Sequence, residues 1–246
     1  LNFNEIIKYK IYNNGYEIII IDINFKNYKK LLSDKIKAKS NFNLLDNPNF
    51  VNGDVVYKGE KFKAKIRLKG ASSHFSTRRQ MSLRIHLKDG KTIFGFNKFS
   101  IHKISERQYP SDYIYQDIQK NIGNLSNNHT FTKVLFNGEN WGIMNVEEHI
   151  STELIEKQRK KDSIVIKLSD DKKLLYKLKS GNNFIENYKL SDPNLFFEIY
   201  NGDNKIESEN IRKKISYITE ELVNQNLPAI IDYESYIRAL FLCAAW

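Results

Sequence analysis

The sequence has little of several residue types that define common classes of protein. Cys243 is the only cysteine among 246 residues, which excludes an intrachain disulfide and a thiolate metal cluster. The histidines are scattered, and none has the HExxH or paired spacing of a zinc enzyme. Before the C-terminal segment, the longest apolar run is Ile18 to Ile21, far shorter than the roughly 20 residues that cross a bilayer. Redox, zinc and integral membrane classes are therefore disfavoured.

Arginine is also scarce, and this changes the meaning of the net charge of +10. Of the 39 basic residues 8 are Arg, and the other 31 are Lys. Frequent Lys, Asn and Ile together are typical of a nucleotide-composition bias, so the high pI alone says little about binding partners. Position is more informative: residues 1–110 hold 22 basic and 9 acidic residues, whereas residues 111–246 hold 17 and 20. This asymmetry favours an anion-facing first half.

Two alternating runs predict neighbouring strands in this basic half. Residues 61–69 alternate cation and apolar residue, which is the pattern of a strand with one buried face. Residues 81–88 place four polar side chains opposite an apolar side: Ser82, Arg84, His86 and Lys88. The loop between them is rich in small residues, hydroxyls and Arg, which are groups that bind phosphate oxygens. The alternative is a solvated sheet face whose lysines serve solubility.

The remaining elements are predicted from turn and helix signals. Asn137-Gly138 is the strongest hairpin signal, Gly123 is a typical residue after a helix end, and Ser151 and Asp232 are candidate helix caps. Turns are also expected at Asn52-Gly53 and Lys58-Gly59. We expect strands over 17–23, 54–57, 130–136, 140–147 and 163–168, and helices over 25–38, 111–122, 151–161, 171–179, 209–224 and 233–246. Residues 239–246 are apolar on all sides, which predicts a buried helix, and a chain that stops inside it is expected to be a fragment.

Several stretches resemble the CotH family of spore-coat and surface kinase-like proteins. The resemblance covers about residues 15–246 and rests on four segments in the family's order: residues 66–73, 82–85, 136–142 and 146–150. It implies an α+β, protein-kinase-like fold. A β-rich N-terminal lobe on the nucleotide-phosphate side would span residues 1–150, and a partial, mainly helical C-terminal lobe would span residues 151–246.

The resemblance also implies a function. CotH-like proteins phosphorylate Ser residues of partner proteins with ATP and a divalent metal such as Mg²⁺. The location implied is the cell surface, the spore coat or outside the cell, and the compartment and oligomeric state stay open. The implied nucleotide-binding residues are Lys69, Ser72, Ser73, Arg79, Arg84, Asp117 and Glu148.

Three of these residues have more specific implied roles. Arg84 would be the cation that reaches the phosphates from the strand after the loop, and the loop would cover them. The helix 111–122 resembles the kinase αC helix, so Asp117 would orient Arg84. Glu148 would lie near the adenine, together with its neighbour Glu147. The alternative for Arg84 is a pair with an acid on the neighbouring strand, and the alternative for Asp117 and Glu148 is that they are solvated carboxylates.

The sequence departs from the family at its end. The family's catalytic Asp, its Asn and its metal-binding Asp are expected after the helix that ends at Trp246, so no catalytic or metal-binding residue is assigned here. Phosphoryl transfer needs those groups, and the expectation is a chain that does not catalyse on its own.

Two other functions compete with the kinase hypothesis. The first is a non-catalytic surface or spore-coat module of the same fold that binds a partner protein or acidic glycan. The second is nucleic-acid binding by the basic face, which is disfavoured because residues 61–69 lack interleaved exposed aromatics and no recognition motif is present.

Overall fold

A computed structural model describes residues 17–40, 48–69, 80–107, 110–160, 163, 165–168, 197–199 and 209–245. The chain divides into two compact units, Leu1–Asp117 with Ser126–His149, and Ile118–Leu125 with Ile150–Trp246. Within the described ranges, no helix has both the length and the apolar character needed to cross a membrane. The proposed assignment of residues 1–150 and 151–246 to two functional lobes stays a prediction.

The first unit is dominated by seven strands, which form a closed barrel in the order β1-β2-β3-β4-β5-β7-β6. The strands are β1 (Ile18–Asp22), β2 (Val51–Tyr57), β3 (Glu60–Leu68), β4 (Leu83–Leu87), β5 (Lys98–Lys103), β6 (His129–Phe136) and β7 (Glu139–Glu148). Helix α1 (Phe25–Ser40) follows β1, a 3₁₀ turn (Ile104–Arg107) follows β5, and helix α2 (Ser111–Asn121) precedes β6. The strands at 61–69, 81–88, 130–136 and 140–147 are confirmed to within a few residues, whereas β5 was not predicted.

Strand β1 closes the barrel. It pairs antiparallel with β2, where Ile20 lies opposite Val56, and parallel with β6, where Ile20 lies opposite Leu135. Ile19 and Ile21 are fully buried and Ile18 nearly so, since both edges and both faces of the strand are covered. A continuous apolar run is typical of a strand that is covered on both faces.

The expected kinase-like α+β architecture, with a β-rich lobe followed by a partial helical lobe, is wrong. The finding that overturns it is the closed seven-stranded barrel, beside which the described helices are short, from 6 to 16 residues. The error has a physical cause. The order of elements was largely correct, but element order does not determine which strand edges pair, and the parallel β1–β6 ladder joins segments far apart in the chain.

Local turn chemistry was predicted correctly at three places. Lys58 and Gly59 both have positive φ, at 48° and 83°, and so do Asn137 and Gly138, at 47° and 81°. These are the conformations that a two-residue hairpin loop requires. Gly123 ends α2 with φ 83°, as expected of the residue after a helix.

Asn52-Gly53 is not a turn, because both residues lie inside β2. Gly53 is required there for a close approach: a Cβ on it would lie 2.8 Å from Cδ1 of Ile66 and 3.1 Å from the carbonyl oxygen of Asp22. Glycine inside a strand often marks such a contact rather than a bend.

The barrel interior is filled by aliphatic and aromatic side chains. Phe99, Ile66, Leu83, Ile85 and Ile101 are among the largest fully buried ones. The prediction that Trp141 serves packing is confirmed, since its ring is 3% exposed and stacks on Phe136 at 4.3 Å between centroids.

The second unit contains three helices and a small sheet in its described part. These are α3 (Thr152–Lys157), β8 (Ile166–Leu168) paired antiparallel with β9 (Phe197–Ile199), α4 (Glu209–Val223), a 3₁₀ turn (Leu227–Ala229) and α5 (Tyr233–Ala245). The cap at Ser151 is confirmed by its bond from the Leu154 amide at 3.3 Å, but α3 ends four residues before the predicted Lys161. The predicted helix 171–179 lies outside the described residues.

The prediction that the C-terminal helix is buried fails at Leu240, which is 48% exposed. Asp232 accepts hydrogen bonds from the amide and the hydroxyl of Ser235, at 3.5 and 2.7 Å, as a helix cap does. The side chains from Phe241 onward are outside the described part of the chain.

Candidate functional site

The outward side of β3 and β4 carries the cations that the alternating pattern predicted. In β3, Phe62, Ala64, Ile66 and Leu68 are buried, and the residues between them point outward. In β4, Leu83, Ile85 and Leu87 are buried, while Arg84 and His86 are half-buried on the outward side. Because successive side chains of a strand point to opposite faces, the cations of both runs lie on one side of the sheet.

The cations at the start of β3, Lys61 and Lys63, are neutralised by a carboxylate. Asp54 Oδ2 lies 2.9 Å from Lys61 Nζ, and Asp54 Oδ1 lies 2.8 Å from Lys63 Nζ. Partial burial opposes ionisation, but the hydrogen bonds from Lys63 and Lys61 outweigh it and lower the pKa of Asp54. These lysines are mostly exposed, so here the alternative interpretation of a solvated sheet face is the better one.

Positive charge is concentrated near the end of β3 and on the strands beside it. Arg67 lies opposite Arg84 across the β3–β4 ladder, and Lys65 lies opposite His86. His86 in turn lies opposite Lys98 on β5. We call the outward side chains of Lys65, Arg67, Lys69, Arg84 and Lys98 the cationic face.

Two histidines beside this face have lowered pKa values. Burial, and then the charges of Arg84, Lys98, Arg67 and Lys65, lower the pKa of His86 to about 4. Burial, followed by Arg84 and Lys69, lowers the pKa of His149 to about 2, although Glu147 acts in the opposite direction. Both imidazoles are therefore neutral at pH 7.

An aromatic ring borders the cationic face. Phe50 is 43% exposed; its ring lies 5.3 Å from the guanidinium carbon of Arg67 and 4.8 Å from the His86 ring. Such a ring keeps the Arg67 guanidinium plane close to the surface of the sheet.

A buried polar cluster lies where the cationic face meets β5 and β7. Glu147 Oε2 is 3.3 Å from Lys69 Nζ and 3.0 Å from His102 Nε2, and Glu147 Oε1 accepts a hydrogen bond from Asn127 Nδ2 at 2.8 Å. The side chains of Lys69, His102 and Glu147 are 20%, 5% and 10% exposed. We call these four residues the Glu147 cluster.

Lys69, His102 and Glu147 form a triangle of close polar contacts. Lys69 Nζ is 3.1 Å from His102 Nε2 and 3.3 Å from Glu147 Oε2, and His102 Nε2 is 3.0 Å from the same oxygen. The ammonium group of Lys69 can only donate, so it donates to the Glu147 carboxylate.

The predicted carboxylates, Glu148 and Asp117, are not members of the Glu147 cluster. Glu148 is 2% exposed and accepts a hydrogen bond from Asn128 Nδ2 at 2.6 Å; opposite it in the ladder is Phe99, whereas Glu147 lies opposite Ser100. Neighbouring residues of a strand point to opposite faces, so Glu147 and not Glu148 joins Lys69. Asp117 is exposed on α2.

The part of helix α2 that belongs to the first unit, up to Asp117, is tied to the same region. The side-chain oxygen of Gln116 accepts a hydrogen bond from the Asn127 amide at 3.0 Å, next to the Asn127 side chain that binds Glu147. Of the predicted site residues, Lys69 and Arg84 are on the cationic face, and Ser72, Ser73 and Arg79 lie outside the described residues.

Sequence reasoning missed His102 and Asn127, and it expected Glu147 near the adenine and not beside Lys69. A signal for His102 exists, because Phe99-Ser100-Ile101-His102 alternates apolar and polar residues as β4 does. For Glu147 and Glu148 the sequence offered no reason to choose between neighbours, since that choice depends on the register of β7 against β5.

The described residues suit a phosphate group better than a metal ion. The cationic face offers Lys and Arg donors beside one another, whereas no group of three His, Cys, Asp or Glu in the described ranges could hold a metal ion. The described residues therefore do not fit a Mg²⁺ site.

Comparison with known proteins gives one match. The family model described as CotH kinase protein matches residues 66–242, more than half of the chain, and this confirms the resemblance that the motifs predicted. A search of curated proteins found no match.

Proposed function

Because this chain belongs to the family of CotH kinase proteins, we propose that it takes part in ATP-dependent phosphorylation of Ser residues in partner proteins. The observation that carries the proposal is the cationic face, in which Lys69 is fixed by a buried carboxylate and Arg84 lies one strand away. ATP would supply the phosphoryl group that the Ser hydroxyl of the partner accepts.

The charge balance of this face supports a phosphate ligand. Five basic side chains lie side by side and face outward on β3, β4, β5 and the residue after β3, and Glu147 contacts one of them, Lys69. Arg donors bind phosphate oxygens in pairs and Lys acts as a point charge, so both types contribute.

Lys69 is held where it could act. Its backbone amide donates to the Ser82 carbonyl at 2.9 Å, which extends the β3–β4 ladder by one residue, and its Nζ donates to Glu147. A fixed cation costs less entropy to bind a ligand than a mobile one. In this proposal Glu147 positions Lys69, and His102 and Asn127 position Glu147.

The remaining assignments are part of the same proposal. Ser72, Ser73 and Arg79 belong to the segment that joins Lys69 to β4, and we propose that they add phosphate donors. Asp117 would orient Arg84, and Glu148 would lie near the adenine. Residues 1–150 would form the nucleotide-phosphate side of the protein.

The test measures ATP binding and transfer separately. Calorimetric titration measures ATP binding, and labelled ATP measures transfer of phosphate to a Ser-containing protein. Both assays would use the chain itself, Lys69→Met, Arg84→Gln and the double variant. We expect each single variant to weaken ATP binding by about tenfold, since a hydrogen bond to a charged group contributes about 1.5 kcal/mol.

The matched control is Lys91→Gln, which removes an exposed lysine paired with Glu60 at 3.6 Å. Unchanged ATP affinity in the double variant would remove the phosphate site from this face. ATP binding without transfer would still support the phosphate site, because no catalytic residue is assigned to this chain.

A further inference from the structure

Helix α1 has a strongly one-sided environment. Leu31 and Ala38 are buried against the barrel, and Tyr28 packs on Phe136 with 5.9 Å between ring centroids. These contacts fix the rotation of the helix, so the opposite face points outward. That outward face takes no part in the cationic face or in the Glu147 cluster.

An apolar stripe runs along the outward face. Phe25, Lys29, Leu32 and Ile36 follow one another at spacings of four, three and four residues, which aligns them on one side of a helix. Phe25 is 70% exposed and Ile36 is 67% exposed. Lys29 Nζ lies 4.6 Å from the centroid of the Phe25 ring, so its chain lies along the stripe.

A row of lysines flanks the stripe. Lys26, Lys30 and Lys37 are exposed, and their spacings of four and seven residues place them on one side of the helix. The helix has a single acidic residue, Asp34. It is buried and accepts hydrogen bonds from the amide and side chain of Asn49, at 2.9 and 3.1 Å, so it belongs to the buried side of the helix.

We propose that the outward face of α1 docks on a membrane surface that contains anionic lipid headgroups. A peripheral helix of this kind inserts a few apolar side chains while flanking cations meet the headgroups. Phe25 and Ile36, with Leu32 between them, would enter the interface, and Lys26, Lys29, Lys30 and Lys37 would lie at headgroup level. This inference is independent of phosphoryl transfer.

A lipid surface fits these residues better than an acidic protein. Lys26, Lys30 and Lys37 are spread over about three turns of α1, which suits the diffuse field of a headgroup layer better than a single protein carboxylate. A stable protein interface also buries about 800 Å² on each partner, with aromatic anchors in pockets. Two exposed side chains on a convex helix offer no such pocket.

The test is co-sedimentation of the chain with vesicles of phosphatidylcholine alone and of phosphatidylcholine with about 30 mol% phosphatidylserine. We expect binding to the anionic vesicles only, with most of it lost at about 0.5 M NaCl because salt screens the headgroup charge. Lys26→Gln/Lys30→Gln/Lys37→Gln should lower the partition coefficient by about 100-fold. Phe25→Ser/Ile36→Ser should lower it by about tenfold or more.

The matched control is Lys91→Gln/Lys213→Gln/Lys214→Gln, which removes the same number of exposed charges elsewhere and should bind almost normally. The proposal is overturned by absence of binding, by equal binding to both vesicles, or by equal losses in the control. It is also overturned if soluble heparin binds as tightly as the anionic vesicles and the Phe25/Ile36 double variant has no effect, since that outcome indicates a soluble acidic partner.

Discussion

His102 Nε2 lies 3.0 Å from Glu147 Oε2, and both side chains are almost completely buried. Lys69 Nζ reaches the same carboxylate oxygen at 3.3 Å, and Asn127 occupies the other oxygen. The Glu147 charge serves as the acceptor for a buried set of polar side chains, so its removal deprives Lys69 and Asn127 of a hydrogen-bond acceptor.

Glu147→Gln should therefore destabilise the protein by about 3 kcal/mol. The amide removes the negative charge and brings its own N–H donors toward Lys69 and His102. Urea denaturation measures the change, and Glu139→Gln, at the exposed start of β7, is the control. Equal midpoints for the two variants would show that the Glu147 cluster contributes nothing to stability.

Gly53→Ala should destabilise the barrel by about 1–3 kcal/mol, because the new Cβ would lie 2.8 Å from Cδ1 of Ile66. Ile66→Val removes that methyl group. The double variant Gly53→Ala/Ile66→Val should therefore lose less stability than the sum of the two single changes, by about 1 kcal/mol. Strict additivity in a thermal or urea cycle would contradict the close approach of β2 to Ile66.

Asn137 stabilises the closure of the barrel as well as its hairpin. Its side-chain oxygen accepts a hydrogen bond from the Ile23 amide at 2.7 Å, and its own amide donates to the Ile21 carbonyl at 2.8 Å. Asn137→Gly keeps the positive φ and loses the side-chain bond, which should cost about 1 kcal/mol. Asn137→Ala adds the strain of a left-handed conformation, for a total of about 2 kcal/mol.

Asn137→Asp is the rescue variant for this position. It retains an acceptor oxygen and tolerates positive φ, so it should stay within about 0.5 kcal/mol of the parent protein. A loss as large as that of the Ala variant would mean that the bond to Ile23 is not the relevant contact.

The two low-pKa histidines predict acid sensitivity. Folded pKa values of about 4 for His86 and about 2 for His149 lie below the ordinary 6.5, so the unfolded chain takes up protons first as the pH falls. Stability from neutral imidazoles is thus complete above about pH 6.5 and is lost progressively toward pH 4. Because solvent screens the half-buried His86, this residue accounts for about 1–2 kcal/mol of the stability lost at pH 4.5.

Denaturation midpoints measured between pH 7 and pH 4.5 test this dependence. His86→Gln should flatten the profile, since glutamine takes up no proton in either state. His129→Gln, which replaces a histidine on β6, controls for loss of an imidazole from the same barrel. An unchanged slope in His86→Gln would contradict the assigned cause.

Several local features were predictable because their causes are local. Alternation of cation and apolar residue fixed which side of β3 faces outward, and Asn137-Gly138 specified a hairpin through the φ values that those residues tolerate. Membership of the CotH family also followed from short motifs. Asn52-Gly53 was misread because the same dipeptide suits a tight turn or a close approach between strands, and only a neighbour such as Ile66 distinguishes them.

By itself, the sequence determined the outward cations, most strand and helix positions, the caps at Ser151 and Asp232, and the family. Only the tertiary structure decided that β1 pairs with β6 to close a barrel, and that Glu147 rather than Glu148 meets Lys69. The reason is physical: periodicity records which face of a segment is buried, whereas strand partners and register depend on contacts between residues distant in the chain.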